Sequence, residues 1–169
     1  MRAPAAAVIV MLVTGCGGGD RRALSPITSP HAAPLPSLSY RLTSGQTWTS
    51  EAALGRVIVL DVWATYCQPC RKAFPKLGRL AAAHPDVVVI GVSVDDDDAV
   101  VDGFLREVPA GFPIARDPAQ SVQSGPLAIR ALPTVLVVDR RGRVRLRAEQ
   151  MAEGDYDALP GVVDALRAE

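Results

Sequence analysis

A chain of 169 residues with a hydrophobic fraction of 49% is long and apolar enough to build one compact core, so we expect a single globular domain. Lys and Arg together number 18, as do Asp and Glu, and this balance excludes the strong positive field that would attract nucleic acid or an anionic membrane surface. The three cysteines, Cys16, Cys67 and Cys70, are too few for a disulfide-stapled scaffold and are spaced wrongly for a four-ligand zinc site.

The N-terminal segment predicts export and lipidation. A positive charge at Arg2 precedes an apolar run at residues 5–13, which is too short to span a bilayer permanently. Residues 13–16, Val-Thr-Gly-Cys, resemble the lipobox of bacterial lipoprotein signals, in which the peptide is cut before the cysteine and that thiol is lipidated. We therefore expect a lipoprotein signal peptide at residues 1–15 and a membrane anchor at Cys16. A plain secretory signal that is cut elsewhere is the alternative.

Residues 16–37 predict a flexible tether. Three glycines follow Cys16, and prolines at positions 26, 30, 34 and 36 prevent a regular ladder of backbone hydrogen bonds. The folded domain is then expected over residues 38–169.

The first half of this domain predicts alternating strands and helices. Ser50 is expected to cap a short helical turn that follows it. Unbroken apolar runs at 57–63 and 87–94 predict strands that are buried on both faces. Apolar residues at helical spacing predict helices at 68–83, with a kink at Pro75, and at 98–108. This order requires crossover connections and therefore parallel strands.

The second half predicts a hairpin and a closing helix. A strand at 135–139 and an alternating strand at 143–147 flank a turn at 140–142, so the two strands pair antiparallel. Apolar residues at 162, 163 and 166 predict a C-terminal helix. Together the elements predict an α/β fold with a central mixed sheet flanked by helices.

The cysteine pair lies where the first buried strand meets the first helix. We expect Cys67 at the N-terminus of that helix, where unpaired backbone N–H groups and the helix dipole stabilise a thiolate and lower the thiol pKa from about 8.5. Two intervening residues bring Cys70 within reach of Cys67, so Cys70 can resolve a mixed disulfide formed with a substrate.

The run Val-Leu-Asp-Val-Trp-Ala-Thr-Tyr-Cys-Gln-Pro-Cys at 59–70 resembles the thioredoxin superfamily, and more closely its exported TlpA/ResA-like branch. The similarity extends from about residue 38 to the C-terminus. It implies a thioredoxin-like fold with a sheet of four or five strands, and reversible dithiol–disulfide exchange that needs no dissociable cofactor.

The resemblance also assigns roles to individual residues. Asp61 matches a buried acid that takes the proton of the resolving thiol, here Cys70; an ordinary charge at a strand end is the alternative. Pro133 matches a cis-proline that faces the cysteine pair, so an incoming peptide would pair with the backbone at Leu132. Core packing is the alternative to substrate contact for Trp63. The residues expected to contact the substrate are Trp63, Tyr66, Gln68, Pro69, Leu132, Pro133 and Thr134.

We expect an enzyme that exchanges disulfides with protein thiols and disulfides at the periplasmic or exterior side of a membrane, as a monomer. Export separates it from cytosolic reductants, so work as a reductase implies a membrane electron donor. Reduction of apocytochrome disulfides to the thiols needed for haem attachment is a narrower version of this expectation.

Two other functions stay open. A peroxiredoxin-like thiol peroxidase would carry its reactive cysteine in a Thr-x-x-Cys setting, whereas Thr65 stands two residues before Cys67. A non-catalytic lipoprotein would keep Cys67 and Cys70 as a structural disulfide. We expect no metal ion, because the cysteine pair would need two further ligands. Four aspartates at 95–98 lack the glycine and distal glutamate of a calcium loop, so helix capping is expected there.

Overall fold

The computed structural model describes residues 32–169; the predicted signal peptide, Cys16 and most of the predicted tether lie outside the described residues. The strands are β1 (Ser39–Leu42), β2 (Thr47–Thr49), β3 (Ile58–Trp63), β4 (Val88–Ser93), β5 (Ile114–Arg116), β6 (Thr134–Val138) and β7 (Val144–Glu149). The helices are α1 (Gln68–Ala83), α2 (Asp98–Glu107), α3 (Ser121–Ser124) and α4 (Leu159–Arg167), with 3₁₀ turns at Glu51–Ala53 and Glu153–Ala158. Within residues 32–169, no helix is long and apolar enough to cross a membrane.

The described strands form one mixed sheet in the order β2-β1-β5-β4-β3-β6-β7. β3, β4 and β5 are parallel because α1 and α2 connect them as crossovers, whereas β6 and β7 form the predicted antiparallel hairpin. The predicted α/β fold with a central mixed sheet is therefore confirmed. The sheet has seven strands rather than four or five, because short strands β1 and β2 extend it beyond β5 and are too brief to leave a periodic signal in the sequence.

Within the described residues, three helices cover the face of the sheet on which the cysteine pair lies. α1, α2 and α4 pack there against side chains that include Val59 and Trp63 of β3. Leu60 and Val62 belong to the core on the opposite face, which α3 and the segments around it cover. Successive β3 residues therefore alternate between two cores, which explains why all six are buried and why the sequence shows no polar alternation.

The predicted capping role of Ser50 is wrong. Glu51–Ala53 forms a single 3₁₀ turn without a side-chain cap from Ser50. The Ser50 hydroxyl instead accepts a hydrogen bond from the Leu38 backbone N–H at 2.9 Å. The adjacent Thr49 hydroxyl accepts a hydrogen bond from the Ala52 N–H at 3.2 Å, so the turn is held by the preceding residue.

Residues 32–37, which belong to the predicted tether, lie against the sheet. The Val144 N–H donates to the Ala33 carbonyl at 2.9 Å, and the Leu35 N–H donates to the Gly142 carbonyl at 2.8 Å. The chain therefore contacts the domain before residue 38, beside the edge strand β7.

Candidate active site

The cysteine pair opens helix α1, where the sequence predicts it. Cys67 is the N-cap residue, with an extended backbone (φ −83°, ψ 101°), and the helix begins at Gln68. The Cys67 Sγ accepts a hydrogen bond from the Cys70 backbone N–H at 3.3 Å. The sulfur thus satisfies one of the first-turn N–H groups that a helix leaves unpaired. Pro69 lies in this turn, where its missing N–H costs little.

The two cysteines differ in their access to solvent. They form a disulfide, with the Cα atoms 5.3 Å apart. Cys67 is 8% exposed, whereas Cys70 has no exposed surface. A partner molecule can therefore contact Cys67 but not Cys70 from the surface, and the disulfide places Cys70 within bonding reach of Cys67.

Exposed side chains surround Cys67. Tyr66 is 71% exposed, which is unusual for a large aromatic residue and presents a flat apolar surface beside the sulfur. Gln68 and Pro69 are exposed as well. These three predicted contact residues have surface available to a partner.

Trp63 lies beneath this surface. Its side chain is fully buried, with ring centroids 4.7 Å from Phe74 and 4.8 Å from Phe104. Gly91 on the neighbouring strand leaves room for the indole, since a Cβ at that position would lie 3.1 Å from Trp63 Nε1. The structure therefore shows core packing for Trp63, and this side chain has no surface with which to touch a substrate in the oxidised form.

The loop before β6 lies at the same end of the sheet as the start of α1. The Leu132–Pro133 peptide bond is cis, as the resemblance implies. Thr134 follows it and pairs with Val62, close to the end of β3 from which the chain runs on to Cys67. Leu132 is half-buried, whereas Pro133 and Thr134 are buried.

Asp61 is a carboxylic acid at the centre of the sheet. It lies between Gly91 of β4 and Val135 of β6, and it has no exposed surface. Because side chains alternate along a strand, Asp61 points to the same face as Val59 and Trp63, towards α1. It is therefore a buried acid rather than an ordinary charge at a strand end.

A tyrosine from the C-terminal region contacts this acid. The Tyr156 hydroxyl donates a hydrogen bond to Asp61 Oδ1 at 2.9 Å. Burial raises the pKa of Asp61 to about 7, and the hydrogen bond from Tyr156 opposes this rise because it stabilises the carboxylate. Tyr156 gave no signal in the sequence, since nothing local relates it to a strand 95 residues away.

Asp95 is a second residue whose place the sequence did not reveal. Its buried carboxylate accepts hydrogen bonds from the Thr65 N–H at 3.0 Å, the Thr65 hydroxyl at 2.8 Å and the Ser93 hydroxyl at 2.8 Å. Thr65 and Asp95 follow the ends of adjacent parallel strands, and this relationship is the signal that could have found the contact. Asp95 thus fastens the loop that leads to Cys67.

The capping prediction for the aspartate run is confirmed at one position. Asp97 is the N-cap of α2, and its carboxylate accepts a hydrogen bond from the Ala99 N–H at 2.8 Å. Among the described residues, no group of three or more His, Cys, Asp or Glu side chains is arranged to hold a metal ion.

Comparison with known sequences finds a matching family model and several relatives. The model of the AhpC/TSA family matches residues 31–147. The thiol-disulfide oxidoreductase ResA of Bacillus thuringiensis (strain Al Hakam) is 30% identical over 92 residues, which is 53% of either chain. The thioredoxin-like protein YneN of Bacillus subtilis (strain 168) is 26% identical over 114 residues, 65% of this chain and 66% of the relative. The chain thus spans about half the length of the ResA proteins it matches.

Comparison with solved structures extends the similarity over most of the domain. A protein from Chlorobium tepidum assigned as the thiol:disulfide interchange protein DsbE has a TM-score of 0.75 and 28% identity, over 80% of this chain and 96% of that chain. The structure of MTB DsbF in its mixed oxidised and reduced forms has a TM-score of 0.68 and 29% identity, over 76% and 94%. With a thioredoxin-like fold and a family match over more than half of its length, this chain belongs to the AhpC/TSA family.

Proposed function

We propose that this protein is a thiol–disulfide oxidoreductase that exchanges disulfides with protein substrates outside the cytoplasm and acts as a reductase. One observation carries the proposal: Cys67, which keeps 8% of its surface exposed, caps helix α1 and is joined to a fully buried Cys70. The names of its relatives, thiol-disulfide oxidoreductase and thiol:disulfide interchange protein, support the same chemistry.

The first step is attack by Cys67. Its thiolate forms a bond with one sulfur of a substrate disulfide, the substrate S–S bond breaks, and the other substrate sulfur leaves as a thiolate that takes a proton from water. The N-terminus of α1 favours the attacking thiolate, because the Cys70 N–H points at the Cys67 sulfur and the helix dipole is positive at this end.

The second step is resolution by Cys70. Its thiol gives a proton to Asp61, its sulfur attacks Cys67 Sγ, and the substrate's second sulfur leaves as a thiolate. Two electrons thereby pass from the dithiol to the substrate, and the Cys67–Cys70 disulfide is formed. With a pKa of about 7, Asp61 is partly ionised at neutral pH and can accept that proton.

The exposed residues around Cys67 form the proposed substrate surface. Tyr66, Gln68 and Pro69 offer side-chain contacts, and Leu132 offers backbone for an extended peptide that lies across the pair. A peptide that binds along a backbone edge is recognised with little dependence on its sequence, which suits exchange with unfolded or flexible protein segments.

The location and partners rest on the sequence and on the resemblance to the TlpA/ResA-like branch. We place the domain outside the cytoplasm as a monomer, anchored through lipid at Cys16 at the periplasmic or exterior side of a membrane. Each turnover leaves a disulfide, so a thiol electron donor must restore the dithiol, and outside the cytoplasm we place that donor in the membrane. Apocytochrome disulfides, whose reduction gives the thiols that attach haem, are the narrower substrate class that this resemblance implies.

Trapping tests the proposal. Without the resolving thiol, Cys70→Ser should accumulate mixed disulfides with host proteins through Cys67, and dithiothreitol should release them. The matched control, Cys67→Ser with Cys70→Ser, should trap nothing. The purified wild type should also accelerate reduction of insulin disulfides by dithiothreitol, and either single substitution should abolish this acceleration.

Two results would contradict the proposal. An empty trap, together with a wild-type disulfide whose reduction potential lies below about −300 mV, would favour a structural disulfide. Consumption of hydrogen peroxide by the purified protein, with no effect on insulin, would favour the thiol peroxidase.

A further inference from the structure

The Asp61–Tyr156 pair joins the C-terminal region to the strand beneath the active site. Asp61 has no exposed surface and Tyr156 is 2% exposed, so the hydrogen bond of 2.9 Å between them is shielded from water. A hydrogen bond to a carboxylate is stronger in such surroundings than at a surface.

The segment that carries Tyr156 is held against α1. The Lys76 ammonium, on α1, donates hydrogen bonds to the Glu153 carbonyl and to the Asp157 carboxylate, each at 2.8 Å. These contacts tie both ends of the 3₁₀ turn Glu153–Ala158 to the helix that Cys67 caps. The Tyr156 hydroxyl is therefore held in position relative to the active-site helix.

The other carboxyl oxygen of Asp61 has no partner. Oδ2 is buried and makes no hydrogen bond to any of the described residues, 32–169. A buried, unpaired carboxyl oxygen is costly, and such groups call for a functional explanation. Asp61 and Cys70 are both fully buried on the α1 side of the sheet, so the resolving thiol belongs to the same enclosed region.

We propose that Tyr156 is a positioning residue for the second step of exchange, an inference that rests on the proposed function: its hydroxyl holds Asp61 Oδ1 and leaves Oδ2 as the oxygen that accepts the Cys70 proton. The proton passes from Cys70 Sγ to Asp61 Oδ2 as Cys70 attacks the mixed disulfide. Tyr156 keeps its own proton, because burial and the neighbouring carboxylate both raise the pKa of its hydroxyl.

Burial and the hydrogen bond from Tyr156 shift the pKa of Asp61 in opposite directions. β4 and β6 place Gly91 and Val135 beside it, and neither titrates. From the 3₁₀ turn, Asp155 raises the pKa of Tyr156, and Lys76 on α1 is paired with Asp157 at the surface. Apolar side chains of α1, α2 and α4 pack on the same side of the sheet as the cysteine pair, among them Phe74, Leu77, Phe104, Leu159 and Val163.

Stopped-flow reaction with 5,5′-dithiobis(2-nitrobenzoic acid) separates the two steps. In the reduced full-length chain, attack by Cys67 releases one thionitrobenzoate, and resolution by Cys70 releases a second. A Cys16→Ser background removes the one other thiol of the sequence. The rate of the second phase against pH then reports the group that takes the Cys70 proton.

Tyr156→Phe keeps the ring and removes the hydroxyl. The lost hydrogen bond stabilised the carboxylate. The pH at which the rate of the second phase is half-maximal, its midpoint, should therefore rise by about one unit, and the rate at pH 7 should fall about fivefold. The first phase should not change. Tyr40→Phe is the matched control, because it removes a buried hydroxyl from the core on the opposite face and should leave the midpoint unchanged.

A double-mutant cycle distinguishes positioning from general support of the fold. Asp61→Asn should remove the pH dependence of the second phase, and Tyr156→Phe should then have no further effect. A folded Tyr156→Phe protein with the wild-type midpoint would overturn the inference, as would equal slowing in the Asp61→Asn background. A wild type without any second phase would overturn the proposed function together with this inference.

If Tyr156→Phe does not fold, replacing tyrosine with 3-fluorotyrosine tests the same hydrogen bond without removing the hydroxyl. The wild-type chain with 3-fluorotyrosine at its three tyrosines retains every ring. The more acidic hydroxyl donates a stronger hydrogen bond to Asp61, so the midpoint should fall. An unmoved midpoint would overturn the inference.

Discussion

Both the backbone N–H and the hydroxyl of Thr65 donate hydrogen bonds to the carboxylate of Asp95, at 3.0 and 2.8 Å. One buried side chain at the end of β4 thereby fixes the loop that leaves β3 and ends at Cys67. The Ser93 hydroxyl donates to the same carboxylate at 2.8 Å, so loss of Asp95 would leave several donors without a partner.

Asp95→Ala should therefore lower the free energy of unfolding by about 2–4 kcal/mol, because three hydrogen-bond donors lose their acceptor. Urea denaturation of the oxidised protein measures this. Asp96→Ala is the matched control, since the neighbouring Asp96 is exposed, and its effect should stay within about 0.5 kcal/mol. Equal effects of the two substitutions would show that the Asp95 contacts do not stabilise the loop.

Asp61 should make the stability of the oxidised protein fall as the pH rises. Its pKa is 3.8 ordinarily and about 7 in the fold, so the folded protein holds this proton more tightly than the unfolded chain does. The contribution is fully present below about pH 4 and is lost between about pH 4 and 7. At about 1.36 kcal/mol for each pH unit, the loss amounts to roughly 4 kcal/mol.

Asp61→Asn removes this titration and keeps the shape of the side chain. Relative to wild type, the variant should therefore become more stable with rising pH, as urea denaturation at pH 4, 5.5, 7 and 8 would show. Asp96→Asn should not change the profile, because that carboxylate is exposed. A constant difference between Asp61→Asn and wild type would mean that the acid is not desolvated in the fold.

The thiols of Cys67 and Cys70 in the reduced protein should react at different rates with iodoacetamide. Cys67 is 8% exposed and Cys70 is fully buried, so alkylation should modify Cys67 first and reach Cys70 after unfolding. The rate at Cys67 should reach its midpoint below about pH 8.5, because the helix N-terminus stabilises the thiolate. Mass spectrometry of the peptides, with Cys70→Ser as a control, measures both; a midpoint of an ordinary thiol would contradict the proposed nucleophile.

Gly91→Ala should destabilise the core below the active site. A Cβ there would lie 3.0 Å from the Ile114 side chain and 3.1 Å from Trp63 Nε1, so the neighbours must shift, at a cost of about 1–3 kcal/mol. Gly161→Ala is the contrasting case: it lies in α4 with nothing within 4 Å of the new Cβ, and a helical alanine should stabilise by about 0.5–1 kcal/mol. Thermal denaturation should show a lower melting temperature than wild type for Gly91→Ala and a higher one for Gly161→Ala.

The sequence by itself determined the elements whose signal is local. The unbroken apolar run of β3, the helical spacing after Cys67 and the strand pattern of β7 can each be recognised within a few residues, and the structure has all three elements. The same holds for the position of Cys67, because the transition from strand to helix is a property of neighbouring residues. Short strands β1 and β2 have three or four residues each, and no period can be read from so few.

The tertiary structure decided which side chains meet. Asp61 bonds to Tyr156 across 95 residues, and Asp95 bonds to Thr65 across 30. Each contact depends on which strands become neighbours in the sheet and on which face a helix or turn packs, and those outcomes follow from burial of apolar area summed over the whole domain. A single aspartate in the sequence carries no mark of its partner, so the hydrogen-bond partners of these carboxylates are visible only once the chain has folded.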